Sequence, residues 1–179
     1  DFKDEVETAK QQIDLLESQD VDAIVAVCHL GDQGVVDCTS RQLAGALTGA
    51  YQDKLDVIID GHSHTLENTE ENGVLIVQTG TGLTQLGKVT LTFDEEEEPE
   101  AAGELLDEAD LASVTPDAGV TAQIAEIQSG QEALLNEKVA RTDTVLWGGT
   151  INNIAESRVY ETNLGYLTAD AFVHTAQDY

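Results

Sequence analysis

The stretch Val57-Ile58-Ile59-Asp60-Gly61-His62-Ser63-His64-Thr65 decides how this chain is read. Its apolar start predicts a short strand buried on both sides. A polar Asp-Gly-His-Ser-His turn follows at the carboxyl end of that strand. In an open α/β sheet, ligands collect beyond the carboxyl ends of strands. Imidazole is the commonest protein ligand for a divalent metal. His62 and His64, at i and i+2, are expected to project on similar sides of an extended loop and to reach two adjacent ions. Gly61 supplies the tight backbone that close approach needs.

The pattern occurs once before. Ala23-Ile24-Val25-Ala26-Val27 predicts another strand buried on both sides, and it runs into Cys28-His29-Leu30-Gly31. Ahead of it, Glu5 to Ser18 carries Val6, Ala9, Ile13 and Leu16 on one helical face. Between the two strands, Thr39 or Ser40 caps a second helix through Leu43 and Leu47. Helix, strand, loop, helix, strand is α/β grammar, and it sets both histidine loops on one sheet edge. The fourth histidine, His174, falls on the last predicted helix and is given no chemical role.

Downstream, Val74 to Val77 and Leu86 to Phe93 predict two more strands, joined by Thr79-Gly80-Thr81-Gly82. That turn lacks the Gly-Lys-Ser/Thr ending of a phosphate loop and is read as a strand connection. Val89, Leu91 and Phe93 alternate with Lys88, Thr90 and Thr92, as on a strand with one wet face. Asp94 to Glu98 is an unbroken run of carboxylates, and acidic residues stay dense up to Asp117, so a solvated loop is expected there. No EF-hand pattern is present. Thr115-Pro116 predicts a helix opening, with proline in the first helical position, and a helix through Val120, Ile124, Ile127 and Leu134 or Leu135. Lys138 to Trp147 reads as an extended strand. Glu161-Thr162 opens a final helix containing Leu164, Leu167 and Ala171.

A chain of 179 residues, 41% of them apolar, is long enough for one domain or for one domain plus pieces of another. With 35 acidic and 8 basic residues its formal charge is −27. Such a field disfavours nucleic-acid phosphates and anionic membranes and favours cations or high salt. A salt-adapted source and an acidic secreted protein are both compatible with it. No apolar run reaches membrane-spanning length. No signal peptide is read in Asp1-Phe2-Lys3-Asp4, which leads straight into a helix. Cys28 and Cys38 are read as two reduced thiols, with a local bridge as the alternative. Ser63 has no Ser-His-Asp partners to make it a nucleophile.

These motifs resemble a known family. Asp60-Gly-His62-Ser-His64-Thr65 after Val-Ile-Ile is similar to the last motif of the calcineurin-like metallophosphoesterases, and Val27-Cys-His29-Leu-Gly31 to the histidine motif before it. The likeness narrows to the 5'-nucleotidase branch, with its UDP-sugar hydrolases and 2',3'-cyclic nucleotide phosphodiesterases. Val74 to Gly80 and Gly87 to Phe93 resemble its last catalytic strands. Arg158-Val-Tyr-Glu161-Thr-Asn163-Leu-Gly165-Tyr-Leu-Thr-Ala-Asp170-Ala resembles the opening of its second domain. The resemblance covers nearly the whole chain, the acidic stretch apart.

What the resemblance implies is a two-metal hydrolase acting on a nucleotide or nucleotide sugar. Two divalent ions, zinc, manganese or similar, would generate a bridging hydroxide and clamp the phosphoryl oxygens. By the family pattern, His29 and His62 bind one metal and His64 the other, while Asp60 supports the loop or orients a histidine. The family's Asp-x-His, its bridging Gly-Asp and its Gly-Asn-His-Asp/Glu motif are expected before Asp1. The chain is therefore read as an internal slice with no catalytic residue of its own, partial metal occupancy at most and no phosphoesterase activity alone.

Of the family's four-layer α/β/β/α sandwich, residues 1–93 would form the C-terminal half. Residues 94–116 would be an acidic linker, 117–136 a connecting helix, and 137–179 the start of a second α/β domain. The family implies an extracellular or cell-surface parent, and a cut sheet with open edges implies self-association. Two other readings stand beside this one: a non-catalytic acidic cation-binding or interaction module, and a halophilic α/β protein.

Overall fold

The structure, a computed structural model, describes residues 3–32, 37–94, 97–138, 140–151 and 154–177, with backbone alone at 97, 98, 133 and 154. The chain divides into two units, Asp1–Thr115 and Pro116–Tyr179.

In the first unit, α1 (Glu5–Glu17) begins where the Asp4 carboxylate accepts the Glu7 N–H, satisfying one free donor of the first turn. After β1 (Val25–Val27), α2 (Ser40–Ala46) starts with a reciprocal capping box between Thr39 and Gln42. Strands β2 (Val57–Ile59), β3 (Leu66–Glu71) and β4 (Val74–Thr79) join β1 in one sheet of order β1-β2-β4-β3. β1, β2 and β4 are parallel, with Val25 opposite Val57 and Val57 opposite Leu75, and β3 runs antiparallel to β4. β5 (Leu86–Asp94) and β6 (Glu97–Leu106) form a separate antiparallel pair.

Period-two alternation sends the sheet's apolar residues to two faces. Ile24, Ile58, Val74 and Ile76 pack with Ile13 of α1 and with Leu43, Ala44 and Leu47 at α2. Val57, Leu75 and Val77 pack with Val89, Leu91 and Ala101 of the β5–β6 pair. The layers are helices, mixed sheet and second sheet, so the class is α/β.

Several local expectations change. β1 is not buried on both sides: it is an edge strand, and Val27 is 81% exposed because the β5–β6 layer sits on β4 and β3 and reaches only as far as Val57 of β2. β3 was not read from the sequence. It is returned to β4 by the two-residue turn Asn72-Gly73, with φ of 54° and 80°. Paired positive φ values match the twist of a hairpin and explain the Asn-Gly dipeptide.

The stretch 94–116, expected as a loop, contains β6. Leu91 faces Ala101 and Val89 faces Gly103, while Glu104 pairs across the ladder with Lys88 at 2.7 Å. A dense charge count hides a strand whose small residues turn inward and whose carboxylates stay in water. Residues 95 and 96 of the acidic run lie outside the described residues.

In the second unit, α3 (Ala118–Leu135) is capped by Asp117, whose carboxylate accepts the Val120 N–H, so Pro116 precedes the helix instead of opening it. The described residues between Lys138 and Trp147 form no strand, contrary to expectation; Val139 lies outside them. The Asn163 side chain occupies their backbone instead, accepting from Trp147 N–H and donating to the Val145 carbonyl. A two-residue ladder, β7 (Thr150–Ile151) with β8 (Ile154–Ala155), leads to α4 (Glu156–Val159). Thr162 Oγ1 then accepts the Gly165 N–H and caps α5 (Asn163–Gln177). No described helix is long and apolar enough to cross a membrane.

Candidate metal site

Parallel pairing carries the ends of β1 and β2 forward together. The ladder continues one step beyond each strand: Cys28 N–H donates to Ile59 O and Asp60 N–H to Val77 O, both at 2.8 Å. His29 follows Cys28 directly, and His62 follows Asp60 after the single residue Gly61. Their rings meet edge to face, with centroids 5.1 Å apart and planes at 78°. A Cβ on Gly61 would lie 2.9 Å from His29 Nδ1, so only glycine lets the imidazole come this close.

Asp60 laces the two loops together. Its carboxylate accepts Leu30 N–H at 2.8 Å and Gly31 N–H at 2.9 Å, leaving the His29 loop anchored to the turn that carries His62. Hydrogen bonds to an ionised carboxylate are stronger than neutral ones, so this bridge is a firm one. On the other side Gly31, at φ 76°, makes room for Ser63: a Cβ there would sit 3.2 Å from Ser63 Cβ.

The loop bearing His62 and His64 is not extended. Both histidines have positive φ, 81° and 58°. Non-glycine residues pay for this conformation, and it persists only where surrounding contacts hold it. The projection expected from i, i+2 spacing in an extended loop therefore does not apply. All three histidines are exposed at the end of the sheet.

Imidazoles held side by side at strand ends suit a borderline divalent ion. Among the described residues, however, no group of three or more His, Cys, Asp or Glu side chains stands close enough to hold a metal. His29 and His62 thus fit part of a coordination shell, and His64 is not brought into a three-donor group with them. Burial, then the negative charge of Asp60 and of Cys38, pushes the Cys28 thiol above the ordinary range. Both cysteines are free.

The sequence reading missed the polar contacts behind the histidines. Ser63 Oγ lies against Gln78, Asp32 N–H and Thr65 Oγ1, and Thr65 Oγ1 also donates to Asp32 Oδ1 at 2.9 Å. Gln78 carried the available signal: an amide closing the otherwise apolar run Val74-Leu75-Ile76-Val77.

No family model matches the sequence. Its fold is that of the calcineurin-like phosphoesterases. The crystal structure of the calcineurin-like phosphoesterase YfkN from Bacillus subtilis matches at a TM-score of 0.58 and 20% identity, over 75% of this chain and 46% of that one. Among curated proteins, the chain is 28% identical to a 5'-nucleotidase of Diplobatis ommata over 197 residues, covering 96% of this chain and 30% of the relative. It is 27% identical to the trifunctional nucleotide phosphoesterase protein YfkN of Bacillus subtilis (strain 168) over 190 residues, covering 99% of this chain and 12% of the relative. The chain resembles the 5'-nucleotidase branch of that fold along its length, and it spans under a third of either relative.

Proposed function

We propose that this chain supplies the histidine loops of a metal-dependent nucleotide phosphoester hydrolase, as part of a parent protein of the relatives' length. One observation carries the reading: two histidines from separate parallel strands meet at 5.1 Å, with the loops behind them joined by the Asp60 carboxylate. An unrelated surface histidine needs neither a glycine cleared for its ring nor a carboxylate spanning to its loop.

In this reading His29 and His62 would hold one divalent ion and His64 would serve another, and the chemistry such ions would supply is a hydroxide nucleophile and neutralisation of phosphoryl oxygens. Asp60 fixes the His29 loop and keeps both rings on one edge of the sheet. The remaining ligands come from elsewhere in the parent, so the isolated chain turns over no nucleotide. The parent acts outside the cell or at its surface, in keeping with the family resemblance and with an acidic chain that does not seek anionic membrane.

Titration of the chain with zinc and with manganese by calorimetry, beside His62→Ala/His64→Ala, tests the reading. Binding lost in the variant is the expected result. Binding indifferent to those histidines, or nucleotide hydrolysis by the chain alone that His62→Ala abolishes, would overturn the corresponding part.

A further inference from the structure

Gln78 is 2% exposed near the end of β4, and its amide is aimed at the histidine loop. Oε1 accepts from Ser63 Oγ at 3.1 Å and from Thr65 N–H at 3.2 Å, and Nε2 donates to Ser63 Oγ at 3.0 Å. Ser63 follows His62 and Thr65 follows His64, so the clamp grips the chain just after each positive-φ histidine. Through Ser63 Oγ, which also accepts Asp32 N–H at 3.3 Å, the same amide reaches the loop of His29. A buried amide that lost these partners would leave polar groups without hydrogen bonds, which is costly, so the loop conformation and the buried amide require each other.

We infer that Gln78 is a positioning residue: its amide holds His62 and His64 in the left-handed backbone conformation that sets His62 against His29, without itself touching an ion. The purpose of this arrangement rests on the histidine loop being a cation site; the conformational effect does not. Left-handed backbone costs a side-chain-bearing residue about 1 kcal/mol or more. Two such residues within three positions relax unless something outside the loop restrains them.

The experiment uses the full chain with Gln78→Met, an apolar replacement of similar length, and Gln78→Glu, which keeps the acceptor oxygen for Ser63 and Thr65. Intraresidue amide-to-Hα dipolar couplings of His62 and His64, read as cross-relaxation intensities, are strongest at positive φ, where the two protons come closest, and calorimetry with zinc reports the site. In Gln78→Met the couplings are expected to move to conformationally averaged values and zinc affinity to fall about tenfold, with the far-ultraviolet spectrum unchanged. Gln78→Glu is expected to restore both. Couplings unchanged in a folded Gln78→Met protein would overturn the inference. Should that variant fail to fold, Ser63→Ala removes the part of the clamp that follows His62 while the Thr65 N–H bond to Gln78 stays, and an unchanged His62 coupling there would overturn the inference. If the wild-type chain binds no zinc, the proposed function fails while the couplings still decide the role of Gln78.

Discussion

The two units bury different things. Every buried apolar side chain among the described residues lies in the first, from Ile13 and Ile24 through Val57 and Ile58 to Val77. Among the described residues of the second, the buried ones are Glu156 and Thr162, both polar. Its larger apolar side chains are open: Ile127 is 59% and Phe172 73% exposed. A sheet with a helix layer on one face and a hairpin on the other satisfies its apolar periodicity within itself. Amphipathic helices such as α3 and α5 do not, and a unit built on them draws its order from hydrogen bonds and capping. The difference separates what holds the candidate site from what merely accompanies it.

Truncating one isoleucine in each unit should expose this most strongly. Ile58, fully buried on β2, should cost about 4 kcal/mol on Ile58→Ala, from lost transfer energy and an unfilled cavity. Ile127→Ala should cost less than about 1 kcal/mol. Urea denaturation of both variants checks this, and equal losses would mean that the second unit owns a packed core after all.

The same contrast accounts for what was legible in the sequence. Helices α1 and α2, strands β2 and β4 and the meeting of His29 with His62 follow from apolar period, capping residues and parallel-sheet chirality, all of which are local signals. β6 was not legible, because Ala101 and Gly103 face inward behind a surface of carboxylates and a charge count sees only the surface. The left-handed histidines were not legible either. Nothing in Gly-His-Ser-His announces positive φ at both imidazoles, since that conformation is imposed by Gln78 from another strand. Lys138 to Trp147 looked like a strand by composition, but Asn163 takes its backbone donors and acceptors before any neighbouring strand does.

A second test moves from apolar to charged groups. Arg41 on α2 reaches Glu67 of β3 at 2.7 Å, and the Glu67 side chain is 2% exposed. Arg41→Ala leaves that carboxylate without a countercharge. The expected loss is about 2 kcal/mol, short of the ~3–5 kcal/mol of a fully buried pair, because the arginine itself is 44% exposed. In the second unit Arg141 and Asp143 pair at 3.0 Å with both side chains over 80% exposed, at 81% and 87%. Arg141→Ala should change stability by no more than about 0.5 kcal/mol. Chemical denaturation of the two single variants decides it. A large effect of Arg141→Ala would show that its partner is something other than a solvated carboxylate.

The smallest effect is spectroscopic and reads the two units separately. Tyr51 donates to Asp14 Oδ2 at 3.1 Å across 37 residues of sequence, and Tyr166 donates to Glu161 Oε2 at 2.6 Å across five. In both, the carboxylate hydrogen bond stabilises the neutral phenol and raises its pKa above the usual tyrosine range. Because the folded value is the higher one, any stability this confers is complete below the unfolded phenol's value near ~10 and is lost as pH rises through the folded one. Alkaline absorbance titration should therefore find Tyr51 and Tyr166 ionising late, and Asp14→Asn and Glu161→Gln should return each to the ordinary range. Urea then sharpens the comparison. Tyr51's partner lies on α1, so its shift survives until the first unit unfolds cooperatively, whereas Tyr166's partner lies within one turn of α5's start and reports local helix. The Tyr166 shift should fade at lower urea than the Tyr51 shift. Loss of both at a single urea concentration would mean that the two units unfold as one, and that the sheet carrying the histidines lends its stability to the helices that follow.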